Sequence, residues 1–198
     1  MVSVTLEDGT IINYLYDPLG RLIKREKNGE IELFHYLGRS NLLYSITDEN
    51  NSLIITFQFD SKGNPLSLLY QGNRYYMHFN THGDLIALSD ESGNIVATWK
   101  YSPWGEIIEE NNPDDIPVPF LYTGRYGVLY DEDTGMYLMG RRWYSPDIKR
   151  FISKDPILKL TSSFSLNPYQ YARNNPVNVI DPSGESAAPT VTTEEEDE

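Results

Sequence analysis

The sequence has no cysteine and no long hydrophobic run, and each absence excludes a class of protein. Without cysteine the chain cannot form disulfides, thiolate metal sites or a cysteine nucleophile. No apolar stretch approaches the roughly 18 residues that a membrane-spanning helix needs. The first ten residues have neither the basic block nor the apolar block of a signal peptide. We therefore predict no membrane span, and no secretion signal is visible in this chain.

Basic residues are scarce relative to acidic ones, which bears on the possible partners. The 198 residues carry 16 Lys and Arg against 29 Asp and Glu, so the formal net charge is −13. Nucleic acids and anionic membranes are bound through clustered Lys and Arg. The charge balance therefore argues against both kinds of partner.

Candidate metal ligands are also few. His78 and His82 are four residues apart, but the sequence around them is typical of a strand followed by a turn, which would place them on different faces. The DEDTG stretch at 131–135 resembles the start of a calcium loop but lacks the closing glutamate, so a hairpin turn is the preferred interpretation. We predict no metal site and no cofactor.

Aromatic and turn-forming residues are abundant. Aromatic side chains make up 13% of the chain, led by 15 tyrosines, and 14 glycines and 12 prolines supply frequent turns. Tyrosine and β-branched residues favour pleated, half-exposed surfaces. Turn residues recur about every ten positions between alternating apolar stretches. This pattern predicts an all-β fold of antiparallel hairpins.

A repeat of about 21 residues organises the first half of the chain. Each copy has an aromatic residue, a short polar or proline-containing turn, a glycine and an apolar stretch, as in YLYDPLGRLIK at 14–24. The aromatic anchors recur at intervals of 20 to 23 residues and are Tyr16, Tyr36, Phe59, Phe79 and Tyr101. One hairpin cannot bury its apolar face alone, so neighbouring hairpins should stack side by side in one curved sheet.

The turn of the first copy holds the residues that should fix its geometry. Asp17 should accept hydrogen bonds from backbone N–H groups and order the turn. Gly20 and, in the last copy, Gly105 stand at the glycine position of the pattern, and Arg21 follows Gly20. Ligand binding by Asp17 and Arg21 is the less favoured interpretation.

The repeat pattern divides the chain into four parts. Residues 1–110 hold the repeats, and residues 111–119, with three prolines in nine positions, should form an extended linker. Residues 120–184 should form a less regular core domain that packs against or plugs the repeat sheet. Residues 185–198 are small, polar and acidic, and we predict that they are disordered.

One segment combines basic and aromatic side chains, MYLMGRRWYSPDIKRFISKDP at 136–156. A nucleic-acid surface with aromatic stacking is one interpretation, and the net charge argues against it. We predict instead that Arg141 and Arg142 pair with carboxylates of the acidic repeats and stack on aromatic rings.

Two parts of the sequence carry a family resemblance. The motif YLYDPLGR at 14–21 resembles the tyrosine–aspartate repeat of Rhs, YD-repeat and teneurin proteins, and residues 120–156 and 167–184 resemble the Rhs repeat-associated core domain. The resemblance implies that the repeats wind as a β-spiral into a hollow shell and that the core domain closes one end. It also implies a variable C-terminal segment, often a toxin, inside the shell of a secreted or surface-exposed bacterial protein.

In many members of this family the core domain is an aspartic autoprotease, which implies candidate catalytic residues. Such chemistry needs two neighbouring carboxylates, one protonated and one ionised. Asp155 matches the first carboxylate and Lys154 its basic neighbour, whereas Leu166 stands where the family often has the second acid. The family's cleavage motif maps onto Pro176, Asp181, Pro182, Gly184 and Glu185, with Glu185 in place of the expected leucine. We therefore expect no self-cleavage.

The leading functional prediction is structural: a shell and core segment of an Rhs-type polymorphic toxin or bacterial cell-surface protein, without its own toxin domain. The expected partners are the remaining YD-repeat shell, in a longer chain or another chain, and a toxin or immunity protein. One alternative is an aspartic autoprotease that cuts near Gly184–Glu185. Another is a surface module whose exposed tyrosines stack on carbohydrate rings.

Overall fold

The computed structural model describes residues 2–156 and 167–190. Within these residues the chain is almost entirely β, with two short 3-10 turns, so the predicted all-β fold is confirmed. Their strands lie in three antiparallel sheets of 11, 4 and 2 strands. No helix in this part of the chain is long and apolar enough to cross a membrane.

The repeats form the large sheet. Its 11 strands follow one another in sequence order, each antiparallel to the next. They are β1 (Ser3–Thr5), β2 (Ile11–Tyr16), β3 (Leu22–Lys27), β4 (Glu30–Tyr36), β5 (Leu43–Asp48), β6 (Leu53–Phe59), β7 (Pro65–Tyr70), β8 (Asn73–Phe79), β9 (Leu85–Ser89), β10 (Ile95–Tyr101) and β11 (Ile107–Asn111). Strands joined by short turns pair with their sequence neighbours, which gives the side-by-side hairpins that the repeat pattern predicts.

Every aromatic anchor is the last residue of an even-numbered strand. The anchors Tyr16, Tyr36, Phe59, Phe79 and Tyr101 end β2, β4, β6, β8 and β10. At each anchor the register with the following strand shifts, as in a β-bulge. A bulge bends its strand and increases the local twist. The large sheet is therefore distorted at the same position in every repeat.

Two of the turns at the other end of the strands, away from the aromatic anchors, are two-residue hairpin loops. Asn28–Gly29 joins β3 to β4, and Gln71–Gly72 joins β7 to β8. The φ angles are 53° and 86° in the first loop and 50° and 83° in the second. Positive φ at both central positions defines a type I′ turn, which glycine and asparagine adopt at low cost. The local sequence thus favours the first hairpin loop at both positions and the second at its glycine.

The small sheet packs against one face of the large sheet and shares its core. Its strands are β12 (Leu129–Asp131), β13 (Met136–Met139), β14 (Arg142–Ser145) and β15 (Arg150–Phe151). Phe120, which precedes it, contacts Phe57 of the large sheet edge to face, with ring centroids 4.8 Å apart. Trp143 packs on Tyr14 with centroids 5.1 Å apart. Buried side chains of both sheets form a single hydrophobic cluster.

The chain after the small sheet folds back on itself. β16 (Val179–Ile180) pairs with β17 (Ala188–Pro189). The sequence predicts disorder for 185–198, but residues up to 190 take part in this folded-back segment because the backbone of β17 finds hydrogen-bonding partners in β16. Residues 191–198 lie outside the described residues.

Candidate functional site: the repeat turns and the Arg142 cluster

The first repeat turn is organised by Asp17. Its Oδ1 accepts hydrogen bonds from the backbone N–H groups of Leu19 and Arg21, both at 2.9 Å, and its Oδ2 accepts one from Arg21 Nε at 2.7 Å. Burial would raise the pKa of the Asp17 carboxyl, but the bonds and the charge of Arg21 outweigh burial and lower it. The geometry is that of a turn-ordering carboxylate.

Arg21 links the first repeat turn to the second. Its Nη1 donates to the carbonyl oxygens of Gly38 at 3.0 Å and Ser40 at 2.6 Å. Its guanidinium carbon lies 4.8 Å from the centroid of the Tyr36 ring. A side chain that pairs with its own turn and bonds the next one holds two consecutive repeats together.

Tyrosine anchors make a second contact between repeats. The hydroxyl of Tyr36 donates to the carbonyl oxygen of Leu22 at 2.9 Å, and that of Tyr101 donates to the carbonyl oxygen of Leu85 at 2.8 Å. In both cases the acceptor belongs to the preceding repeat. The two phenylalanine anchors have no hydroxyl and contribute apolar packing to the same core.

The last repeat turn, 102–105, is bound by three buried tyrosines of the following domain. Their hydroxyls donate to three consecutive carbonyl oxygens: Tyr122 to Pro103 at 3.0 Å, Tyr144 to Trp104 at 2.8 Å and Tyr137 to Gly105 at 2.8 Å. Gly105 has a φ of +90°, and a Cβ there would lie 2.8 Å from the Tyr122 ring. Glycine is therefore required for this close approach.

These three tyrosines are residues that sequence reasoning did not single out. Burial raises the pKa of Tyr122, Tyr137 and Tyr144, so each hydroxyl remains a donor. The available signal was the density of tyrosine in the segment 122–144, where tyrosine is favoured over phenylalanine because a buried hydroxyl finds an acceptor.

An ion-pair network, which we call the Arg25 cluster, joins the large and small sheets. It contains Arg25 and Lys27 of β3, Glu32 of β4, and Asp131 and Asp133 at the start of the small sheet. Arg25 Nε lies 3.0 Å from Asp131 Oδ2, and its Nη1 lies 3.1 Å from Glu32 Oε2. Both Arg25 and Lys27 donate to the carboxylate of Asp133.

The carboxylates of the DEDTG segment thus bind cationic side chains of the repeats. Asp131 is only 6% exposed and also accepts a hydrogen bond from the Tyr14 hydroxyl at 2.8 Å. Within residues 2–156 and 167–190, no three His, Asp or Glu side chains are placed to hold a metal ion.

A second cluster, which we call the Arg142 cluster, contains three of the residues that the family resemblance marks as functional: Asp155, Asp181 and Gly184. It consists of Arg142, the carboxylates of Asp155 and Asp181, and the carbonyls of Pro168 and Gly184. Arg142 Nη2 lies 3.4 Å from Asp155 Oδ2 and 3.6 Å from Asp181 Oδ2. Its Nε donates to Gly184 O and its Nη1 to Pro168 O at 3.1 Å.

The position of Arg142 is fixed by the small sheet. Arg142 begins β14, is 3% exposed, and places its guanidinium carbon 3.6 Å from the centroid of the Phe151 ring in β15. Burial lowers the pKa of Arg142, and the two carboxylates oppose that effect. A buried guanidinium with this many acceptors binds together three segments that are distant in sequence.

The Asp181 turn has the same chemistry as the first repeat turn. Asp181 Oδ1 accepts from the backbone N–H groups of Glu185 at 3.1 Å and Ser186 at 2.9 Å, and Gly184 N donates to Asp181 O at 3.1 Å. Gly184 packs so closely on the β13–β14 turn that a Cβ there would overlap the Met139 carbonyl oxygen. The Asp-Pro-x-Gly sequence is thus a docked turn.

The remaining predicted site residues are dispersed. Lys154 is exposed, Pro182 and Glu185 are partly exposed, and Pro176 is buried with its carbonyl oxygen 2.8 Å from His82 Nε2. Leu166, the position of the expected second acid, lies outside the described residues.

The predicted pairing of the basic segment needs a correction. Arg142 pairs with Asp155 and Asp181, which lie after residue 120 and not in the repeats. The ion pairs that connect the large and small sheets run the other way, from Arg25 of a repeat to carboxylates that precede β13. The sequence offers the charges, but it does not show which element faces which.

The sequence profile of the Teneurin YD-shell family matches residues 1–177. The chain is 36% identical over 183 residues to the tRNA nuclease WapA of Bacillus subtilis strain 168, covering 90% of this chain and 8% of that protein. It is 28% identical over 186 residues to Teneurin-3 of Danio rerio, covering 87% of this chain and 6% of that protein. This chain therefore spans less than a tenth of the length of either relative.

Solved structures show the same architecture. The chain superimposes on the Tc holotoxin pore of Photorhabdus luminescens with a TM-score of 0.68 at 23% identity, covering 93% of this chain and 9% of that one. It superimposes on the TcdB2-TccC3 crystal structure with a TM-score of 0.68 at 24% identity, covering 88% and 9%. At this level of identity the likeness shows a shared fold.

Proposed function

Since this chain belongs to the teneurin YD-shell family, we propose that it is a structural segment of a larger YD-repeat shell. The large sheet would form part of the shell, and the domain from residue 120 onwards would pack on one face of it. The main support is that β1 and β11 are the edge strands of the large sheet: among the described strands, each of them pairs with one neighbour only. An edge strand presents N–H and C=O groups to which a further strand can add.

The expected partner is the rest of a YD-repeat shell, in a longer chain or in another chain. The relatives and solved structures that match are many times longer than this segment, and they include a nuclease and toxin complexes. This supports the proposal that the segment serves an Rhs-type toxin or cell-surface protein outside the cytoplasm. The binding of carbohydrate stays a prediction.

We further propose that the Arg142 cluster is a structural contact and not a protease site. Aspartic proteolysis uses two carboxylates that share one proton. Here the guanidinium of Arg142 lies within 3.6 Å of both carboxylates, so each of them makes an ion pair with the same cation. The arrangement supports docking of the Asp181 turn, with Gly184 O held by Arg142.

Blocking the open edge of β11 should abolish association through it. Ile108 is 61% exposed on this edge strand, and a lysine there disfavours strand addition. We expect the wild-type chain to form concentration-dependent oligomers in sedimentation velocity, and the Ile108→Lys variant to sediment as a smaller species at the same concentrations.

The matched control for this test is Leu53→Lys. Leu53 is 55% exposed, but it lies on β6, an inner strand of the large sheet that already pairs with β5 on one side and β7 on the other. Its substitution should leave the association unchanged. A wild-type chain that stays monomeric at all concentrations, or equal effects of the two lysines, would contradict the role of β11 as an open shell edge.

The intact mass of the purified chain should stay at 22.7 kDa during long incubation from mildly acidic to neutral pH. The same result is expected for Glu185→Leu, which places the family's usual leucine beside a cavity of about 600 Å³ lined in part by Leu22, Leu129 and Leu138. The reason is that the carboxylates of Asp155 and Asp181 both pair with Arg142.

Two further variants make the mass measurement decisive. Asp155→Asn removes the candidate catalytic carboxylate, and Asp147→Asn removes an exposed one in the same domain. A shorter product from the wild type or from Glu185→Leu, lost with Asp155→Asn and retained with Asp147→Asn, would establish the autoprotease alternative and overturn the structural assignment of the Arg142 cluster.

A further inference from the structure

One histidine connects the large sheet to the segment that carries the Asp181 turn. His82 lies in the turn between β8 and β9. Its Nδ1 is 2.9 Å from Asp84 Oδ1, and its Nε2 is 2.8 Å from the carbonyl oxygen of Pro176, 94 residues away in sequence. The His82 side chain is 15% exposed. We call this pair of hydrogen bonds the His82 bridge.

The number of protons in the His82 bridge follows from its acceptors. A carbonyl oxygen can only accept, so Nε2 must donate to Pro176. The Asp84 carboxylate already accepts from the Thr123 backbone N–H and from Asn80 Nδ2, both at 2.9 Å, and it acts as an acceptor toward Nδ1 as well. A neutral imidazole has one N–H and an imidazolium has two. The bridge is therefore complete only when His82 is protonated.

Among the titratable groups around His82, the imidazole is the one whose ordinary pKa lies near neutrality. The Tyr122 ring lies next to the imidazole, with ring centroids 5.2 Å apart. The hydroxyl oxygens of Tyr122 and Tyr171 are 3.4 Å apart. Burial raises the pKa of both phenols, so they stay neutral. Arg125, whose backbone N–H donates to the Gly83 carbonyl, and exposed Arg173 are the cationic residues of the two segments that pack there.

We propose that the His82 bridge is a proton-dependent latch that holds the Pro176–Glu185 segment on the large sheet. Protonated His82 donates to both the repeat turn and the segment. Deprotonated His82 keeps one N–H, so one acceptor loses its donor and faces a lone pair. The latch goes beyond the shell assignment, because it acts within one chain whatever lies at the edges of the large sheet.

The electrostatics give the direction of the effect. Burial alone would lower the pKa of His82, but the bonds to Asp84 and Pro176 outweigh burial and raise it above its usual 6.5. A group whose pKa is raised by folding contributes stability that is fully present below its unfolded pKa and lost as the pH rises through its folded pKa. The latch is thus closed in mildly acidic solution and weakens toward alkaline pH.

Two measurements on the full chain test this latch. Proton NMR titration of the imidazole signals, assigned with His35→Gln and His78→Gln variants, gives the pKa of His82. Hydrogen–deuterium exchange, corrected for the intrinsic rate at each pH, gives the protection of residues 176–185. We expect a His82 pKa above 6.5 and a loss of protection at 176–185 as the pH rises through it.

The variants separate the latch from general pH effects. His82→Gln should weaken the protection of 176–185 and remove its pH dependence, whereas His78→Gln, which loses only a bond to Ser89 on the large sheet, should retain it. Asp84→Asn should shift the loss of protection to lower pH. A His82 pKa at or below 6.5, or the same pH course in wild type and His82→Gln, would overturn the proposal.

Discussion

Replacing Asp131 with alanine should lower the free energy of unfolding by about 3 to 5 kcal/mol. The carboxylate is buried and accepts from Arg25 Nε and the Tyr14 hydroxyl. Its loss leaves the Arg25 guanidinium, whose side chain is only 14% exposed, with fewer partners. It also leaves the buried Tyr14 hydroxyl without its acceptor. The cost is large because the charge that remains cannot return to water. Urea unfolding, followed by tryptophan fluorescence, measures it.

An exposed ion pair of the large sheet provides the control. Lys100 Nζ lies 2.6 Å from Glu109 Oε2, and both side chains are 66% exposed. Glu109→Ala should change the free energy of unfolding by less than about 1 kcal/mol, because solvent screens such a pair. If the two alanine substitutions had equal effects, the Arg25 cluster would not be a principal contact between the two sheets.

The second large effect should come from one methyl group in the β13–β14 turn. Gly140 has a φ of +57°, and a Cβ there would overlap the Ser183 carbonyl oxygen. We expect Gly140→Ala to cost about 1 kcal/mol or more through its left-handed backbone, and about 1 to 3 kcal/mol in addition through overpacking. Because the clash is with backbone, the Asp181 turn must move away, and amide exchange in 176–190 should accelerate.

Gly9→Ala isolates the contact from the backbone strain. Gly9 has a φ of +88°, but no atom lies within 4 Å of a Cβ built there. This variant should show only the left-handed penalty of about 1 kcal/mol and no change in exchange at 176–190. Equal unfolding free energies for the two variants would mean that the Asp181 turn does not dock on the β13–β14 turn.

The fold was predictable from the sequence wherever the interactions are local. Periodic aromatic residues located the ends of five strands, because strand and turn alternate with the repeat. The bonds of Asp17 are made within four residues, so the YDPLGR motif alone indicates the turn. The Asn28–Gly29 loop follows from asparagine and glycine at positions that need positive φ, and the Gln71–Gly72 loop has glycine at one of its two positions.

The contacts made by the chain after residue 120 were not predictable, because their partners are distant in sequence. Arg142 bonds Asp155 and Gly184, which are 13 and 42 residues further along the chain. His82 and Pro176 are 94 residues apart. No local pattern fixes such pairs, since they depend on how the chain folds back over the large sheet. The same applies to β17, whose two residues, Ala188 and Pro189, give no sign of the pairing with β16.

The bulges beside the aromatic anchors have a consequence for size. All five fall on the same border of the large sheet, because the even-numbered strands run in one direction. The bend is therefore a property of each unit and adds up along the series. Duplicating a unit would lengthen the sheet by one repeat and leave every existing pairing intact. In the shell that we propose, the length of the wall would therefore follow from the number of repeats, with no change to any hairpin.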